Sequence, residues 1–188
     1  TFADMFLSIP MAHQMSTLFT ILDGTKNKQM LKVMRPYQVY ATKAVLNELK
    51  HADFDLPINK LGFVWHTTGS GKTITSFKTA WLASRMPNVD KVIFVVDRIA
   101  LTKQTESNYK AYDPEGSIDI DGKQFDTVGG TENTSALKKK LNEKGYGIIV
   151  TSVQKLNTLI NRKDFVVPNK NFVFIVDEAH RSTGGESF

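Results

Sequence analysis

Four short, unbroken apolar runs recur along the chain: Leu61–Trp65, Val92–Val96, Gly147–Thr151 and Phe172–Val176. Segments with helical spacing lie between them. Runs this short and this apolar have no polar face to offer water, so each strand must be covered on both sides. A parallel connection has to cross the sheet, and the crossing helix supplies that cover. The predicted fold is therefore α/β, a mostly parallel sheet with helices on both faces. In open sheets of this kind ligands bind beyond the carboxyl ends of the strands. Two polar stretches fall there: His66–Thr73 after the first run and Asp177–His180 after the last.

The remaining elements follow from periodicity. A helix should start after Arg35-Pro36, because proline is tolerated in a first turn. Tyr37, Tyr40, Ala41, Ala44, Val45 and Leu49 then share its apolar face. Thr73–Ser84 carries Ile74, Phe77 and Trp81 on one stripe. Further helices are expected over Ile99–Tyr109, Ser135–Glu143 and Val153–Ile160, a loop over Asp113–Gly122, and a short strand over Phe125–Val128. Residues 1–32 are apolar only in patches, with a turn at Asp23–Lys28, and read as a connector or arm.

Composition narrows the class. The chain has 188 residues, enough for one domain with a substantial core, and no cysteine, which excludes disulfides and thiolate metal sites. A net charge of +5 permits a polyanionic partner without demanding one. No apolar run approaches the roughly 20 residues of a membrane span, and the N-terminus lacks a secretory pattern. A cytoplasmic protein with no membrane partner is the default expectation.

The stretch H-T-T-G-S-G-K-T, His66 to Thr73, fits a phosphate-binding loop except at its first position, where the usual pattern has glycine. A phosphate cradle needs backbone N–H groups turned inward, and Gly69 and Gly71 allow that. Lys72 would reach the β- and γ-phosphates, Thr73 would place a hydroxyl on Mg²⁺, and the helix starting there points its positive end at the anion. A strand-to-helix turn with a solvated lysine is the plain alternative. His66 itself reads as a packed or solvated histidine rather than a catalyst. Downstream, D-E-A-H follows the apolar run Phe172–Val176. There Asp177 could hold the Mg²⁺ and Glu178 could position or deprotonate the attacking water. Each motif makes the other credible, because hydrolysis needs both the cradle and the metal carboxylate.

Together G-S-G-K-T and D-E-A-H resemble the first RecA-like motor domain of superfamily 2 helicases and translocases. The blocks R-P-Y-Q-V-Y-A, W-H-T-T-G-S-G-K-T, V-V-D-R-I-A-L-T-K-Q and V-D-E-A-H-R-S are similar to the motor (R) subunit of type I restriction enzymes, over about residues 20–188. The resemblance implies a RecA-like P-loop fold, ATP and Mg²⁺ as cofactors, and an ATP-dependent double-stranded DNA translocase acting before cleavage. It implies nucleotide contacts from Thr68, Gly69, Ser70, Gly71, Lys72 and Thr73, with Gln38 reading the adenine edge and Arg35 or Tyr37 packing on the base. Lys72, Asp177 and Glu178 carry over as catalytic groups, Thr73 and Asp177 as metal ligands, and His180 as the relay to DNA contacts. Arg98, Thr102, Gln104, Thr151, Ser152 and Gln154 match DNA-facing blocks, where hydroxyls and amides suit sequence-independent phosphate contacts. Without the resemblance, Tyr37 and Gln38 are the start of an amphipathic helix, and Thr102 or Thr151 alone is a capping or solvated residue. Lys138-Lys139-Lys140 and Glu48-Leu49-Lys50 read as helix surface.

The resemblance also sets the expected organisation: residues 1–32 as an N-terminal connector, and 33–188 as the first RecA-like domain, truncated after its acidic motif. The second RecA-like lobe with its arginine finger and the nuclease domain would lie in the same full-length chain. Methyltransferase and specificity subunits would be its partners, and the isolated fragment is expected to be inactive. Another DEAH-type helicase, or a nucleotide-binding module without DNA activity, is the alternative. A GTPase would carry N-K-x-D, which this sequence lacks.

Overall fold

The computed structural model describes residues 8–27, 29–56 and 62–179. The chain divides into two compact units, Thr1–Thr79 and Ala80–Phe188. In the first, helix α1 (Ile9–Thr17) leads into strands β1 (Thr20–Asp23) and β2 (Met30–Val33). These pair antiparallel, from Thr20 opposite Val33 to Asp23 opposite Met30. The stretch predicted as an arm thus holds a helix and a hairpin. The hairpin loop is fastened by buried Asp23, which accepts from the Thr25 amide (2.9 Å) and hydroxyl (2.5 Å) and pairs with Lys32 (2.5 Å). Burial pushes the Asp23 carboxyl up, but the bonds from Lys32 and Thr25 outweigh it and hold its pKa at about 2.

Helix α2 (Pro36–Lys50) begins with proline in its first turn, as expected, but buries a different face. Tyr37 and Tyr40 are exposed, whereas Gln38, Val39, Thr42 and Leu49 are buried. Polar groups can take core positions when they find partners. The Thr42 hydroxyl bonds that of Thr79 (3.1 Å), and both ends of the Gln38 amide bond to backbone. Helix α3 (Lys72–Ala83) follows the glycine-rich stretch and buries Thr75, Phe77, Lys78, Thr79, Ala80 and Ala83.

The second unit holds the parallel sheet. Strands β3 (Lys91–Val96), β6 (Val128–Gly130), β7 (Ile148–Ser152) and β8 (Phe172–Val176) are ordered β6-β7-β3-β8, and all three neighbouring pairs are parallel. Successive residues of a strand face opposite ways, and β3 is buried on both sides. Phe94 packs on Tyr109 of α4 (Ile99–Tyr112), with ring centroids 5.0 Å apart. Ile93 and Val95 pack on the other face, with Leu137 and Leu141 of α5 (Thr134–Asn142) and Leu159 of α6 (Val153–Ile160). Helices therefore cover both faces, as the apolar runs required.

Two predicted elements differ. Residues 62–65 are irregular, with Phe63 89% and Trp65 84% exposed. An apolar run becomes a strand only where a neighbour completes its hydrogen bonds, and among the described residues no strand pairs with it. The expected strand at Leu61–Trp65 is therefore corrected over these positions; Leu61 lies outside the described residues. The predicted loop Asp113–Gly122 contains β4 (Ser117–Ile120), which pairs antiparallel with β5 (Lys123–Asp126). Asp121 (φ 54°) and Gly122 (φ 75°) form the two-residue turn between them. Asp-Gly between alternating residues is a hairpin signal, and it was present in the sequence. The run Phe125–Val128 breaks at Thr127, whose hydroxyl donates to Asp113.

Candidate nucleotide-binding site

The glycine-rich loop enters at His66 and ends as the N-terminus of α3. Gly69 and Gly71 have φ of +78° and +82°, a region that glycine occupies without penalty. The two have different surroundings. A Cβ on Gly69 would meet nothing within 4 Å, so the crown of the loop is open; one on Gly71 would lie 2.4 Å from Gln38 Nε2. The loop's underside is thus filled by the start of α2.

That packing consists of hydrogen bonds. Gln38 Oε1 accepts from the Arg35 amide (2.8 Å), and Nε2 donates to the carbonyls of Ser70 (3.0 Å) and Gly71 (3.4 Å). The Tyr37 hydroxyl donates to the same Ser70 carbonyl at 2.7 Å and lies 3.4 Å from the Arg35 guanidinium. In a trans peptide the C=O and the following N–H point to opposite sides. Holding the Ser70 carbonyl toward α2 therefore turns the Gly71 N–H away from α2, as a phosphate cradle requires. The Gly71 carbonyl accepts from the amides of Ile74 and Thr75, both at 3.1 Å, and so starts the helix. The first N–H groups of a helix have no acceptor within it and carry its positive end. Lys72 is half-buried and Thr73 exposed. Glycines in the required conformation, an open crown, a helix N-terminus and a lysine at its first position fit the phosphates of a nucleotide. No group of three or more His, Asp or Glu side chains gathers among the described residues. Mg²⁺ bound with a nucleotide does not need one, since phosphate oxygens and water supply most of its ligands.

In the second unit the acidic motif continues β8. The Asp177 amide donates to the Val95 carbonyl (2.9 Å), extending the ladder one residue past the strand. Glu178 has φ of 51°, a left-handed conformation that costs a non-glycine residue about 1–2 kcal/mol. Both side chains are half-buried. Strain of this kind clusters at functional positions. His180 lies outside the described residues.

The residues predicted to face DNA separate by exposure. Arg98, Gln104 and Gln154 are exposed, and Gln154 Nε2 donates to the Asp97 carbonyl (2.9 Å), joining the ends of β3 and β7. Thr102, Thr151 and Ser152 are buried. The Thr151 hydroxyl bonds Thr131 (3.0 Å), and Ser152 caps α6 by accepting from the Lys155 amide (3.4 Å). The Thr151 and Ser152 hydroxyls thus organise the carboxyl edge of the sheet, whereas that of Thr102 is buried without a hydrogen-bond partner. Sequence reasoning missed Thr131 and Lys155, whose amine donates to the Thr131 carbonyl. It also missed the hydrogen bond between His66 and Ser70. A helix face that places Gln and Thr at buried spacing was the available signal for the α2 brace; for Lys155 there was none.

A family model described as the res subunit of type III restriction enzymes matches residues 31–188. Over 99% of its length the chain is 36% identical to a type I restriction enzyme endonuclease subunit of Staphylococcus aureus. Over 98% it is 37% identical to one of Staphylococcus saprophyticus. It spans only 18% of the length of either. It is 42% identical over 166 residues to a Mycoplasma pneumoniae protein described as the C-terminal part of a type I restriction enzyme endonuclease subunit, covering 83% of this chain and 75% of that one.

Proposed function

The chain belongs to the type I restriction endonuclease subunits and carries their RecA-like P-loop domain, and from that premise we propose that it is the ATP-binding part of a DNA-translocating motor. The observation that carries the proposal is the loop between Gly69 and Thr73, with two positive-φ glycines, an open crown and a helix N-terminus behind it. In this reading the backbone from Thr68 to Gly71 and the Lys72 amine bind the phosphates of ATP. Gln38 reads the adenine edge, and Arg35 or Tyr37 packs on the base. Thr73 offers a hydroxyl and Asp177 a carboxylate to Mg²⁺, which neutralises phosphate charge during phosphoryl transfer. Glu178 orients a water and takes its proton. His180 relays nucleotide state to the DNA contacts, with Arg98, Gln104 and Gln154 the exposed residues suited to touch duplex phosphates directly. Methyltransferase and specificity subunits, a second RecA-like lobe and a nuclease domain complete the proposed machine, which acts in the cytoplasm. No helix among the described residues is long and apolar enough to cross a membrane.

Separating binding from turnover tests the assignment. In the full-length protein, Lys72→Ala should abolish ATP–Mg²⁺ binding in titration calorimetry. Glu178→Gln should leave binding within about twofold while removing hydrolysis, because it acts on the water. Unchanged binding in Lys72→Ala contradicts the phosphate-loop reading.

A further inference from the structure

The position where phosphate loops usually have glycine holds His66, and its hydrogen bonds give it a direction. The Ser70 hydroxyl donates to the Thr67 carbonyl at 2.7 Å, since a carbonyl can only accept. A serine hydroxyl has one proton. Toward His66, whose Nδ1 lies 2.9 Å away, Ser70 Oγ must therefore accept. That leaves Nδ1 as the donor. The resulting chain runs from His66 Nδ1–H to Ser70 Oγ–H to the Thr67 carbonyl. Nε2 is buried with no hydrogen-bond partner. A second proton there would bury an unpaired N–H and a charge near Lys72, and burial and Lys72 both hold the imidazole below its ordinary pKa. Ser70, between the two positive-φ glycines, is thus held by its side chain from His66 and by its carbonyl from Tyr37 and Gln38.

We propose that His66 is a positioning residue of the phosphate loop, whose Nδ1–H fixes Ser70 so that the Gly69–Thr73 backbone is set for phosphate before nucleotide arrives. The inference rests on the ATP-binding reading above. The expected cost of losing the bond is one neutral hydrogen bond, about two- to tenfold in affinity. Asparagine carries its N–H at the reach of Nδ1 and glutamine at the reach of Nε2, so the two substitutions separate the ring nitrogens. ATP–Mg²⁺ binding is measured by titration calorimetry on the full-length protein, with KM and kcat for ATP. His66→Asn should bind within about twofold of wild type. His66→Gln and Ser70→Ala should each lose about two- to tenfold, with KM raised and kcat little changed. The double variant of His66→Gln with Ser70→Ala should lose no more than Ser70→Ala alone, because the bond between His66 and Ser70 is already absent there. Equal binding by His66→Gln and wild type, or equal losses in the Asn and Gln variants, overturns the assignment even while Lys72→Ala still abolishes binding. If Lys72→Ala and wild type bind alike, the ATP reading fails and the role given to His66 fails with it.

Discussion

Both ends of the Gln38 side-chain amide are occupied, one by Arg35 and the other by the carbonyls of Ser70 and Gly71. The resemblance implies that Gln38 reads adenine; the structure makes it a brace of the glycine-rich loop. A base-reading amide discriminates between nucleotides, whereas a brace does not. In the full-length protein, Gln38→Ala should weaken GTP and ATP binding together by roughly 1 kcal/mol per lost bond. On top of that it should weaken ATP further. Competition titrations with both nucleotides read the two parts separately, and equal losses would leave bracing as the sole role of Gln38. Part of this site was legible at single-residue resolution. The positive φ of Gly69 and Gly71 follows from what a phosphate cradle demands of the backbone. The bonds from Gln38, Tyr37 and His66 to Ser70 do not, because they depend on which face of α2 turns inward and on the path of the loop.

Among the elements, the strands most legible in the sequence were the unbroken apolar runs, although β3 is buried throughout and β8 exposes Phe174. Val92–Val96 and Phe172–Val176 read as covered strands, and both form the parallel sheet, because neither has a polar face to expose. The two hairpins were missed. Each is short, partly exposed and held by its turn rather than by a hydrophobic run, as with Asp121-Gly122 between β4 and β5. The β1–β2 hairpin depends in the same way on Asp23. Asparagine at position 23 could still accept from Thr25 but would face Lys32 without a charge. Asp23→Asn should therefore lower stability at neutral pH by about 1–3 kcal/mol in chemical denaturation. The pH dependence has a definite sign. The Asp23 pKa is about 2 when folded and 3.8 otherwise, so the unfolded chain binds more protons between those values. The stabilisation is complete above about pH 4 and is lost as pH falls toward 2. Asp23→Asn should lack that part of the acid transition; equal stability of the two proteins at pH 7 would show that the Asp23 bonds do not hold the hairpin.

At the scale of the whole molecule, the parallel sheet and the helices on both its faces followed from four apolar runs, although the first of them is not a strand over residues 62–65. The proposed motor activity rests on resemblance alone, since no periodicity encodes translocation. In the proposed function this domain binds and turns over ATP as part of a DNA-driven machine. An arginine finger supplied by another lobe is worth about 10³–10⁵ in rate where it operates. Residues 1–188 alone should accordingly show little or no DNA-stimulated hydrolysis, while the full-length protein should show strong stimulation. The most direct measurement is steady-state ATP turnover by the full-length protein, with its methyltransferase and specificity subunits, in the presence and absence of duplex DNA. The predicted result is turnover that rises steeply with DNA and disappears in Glu178→Gln. Turnover that is indifferent to DNA, or that survives in Glu178→Gln, would rule out the proposed function.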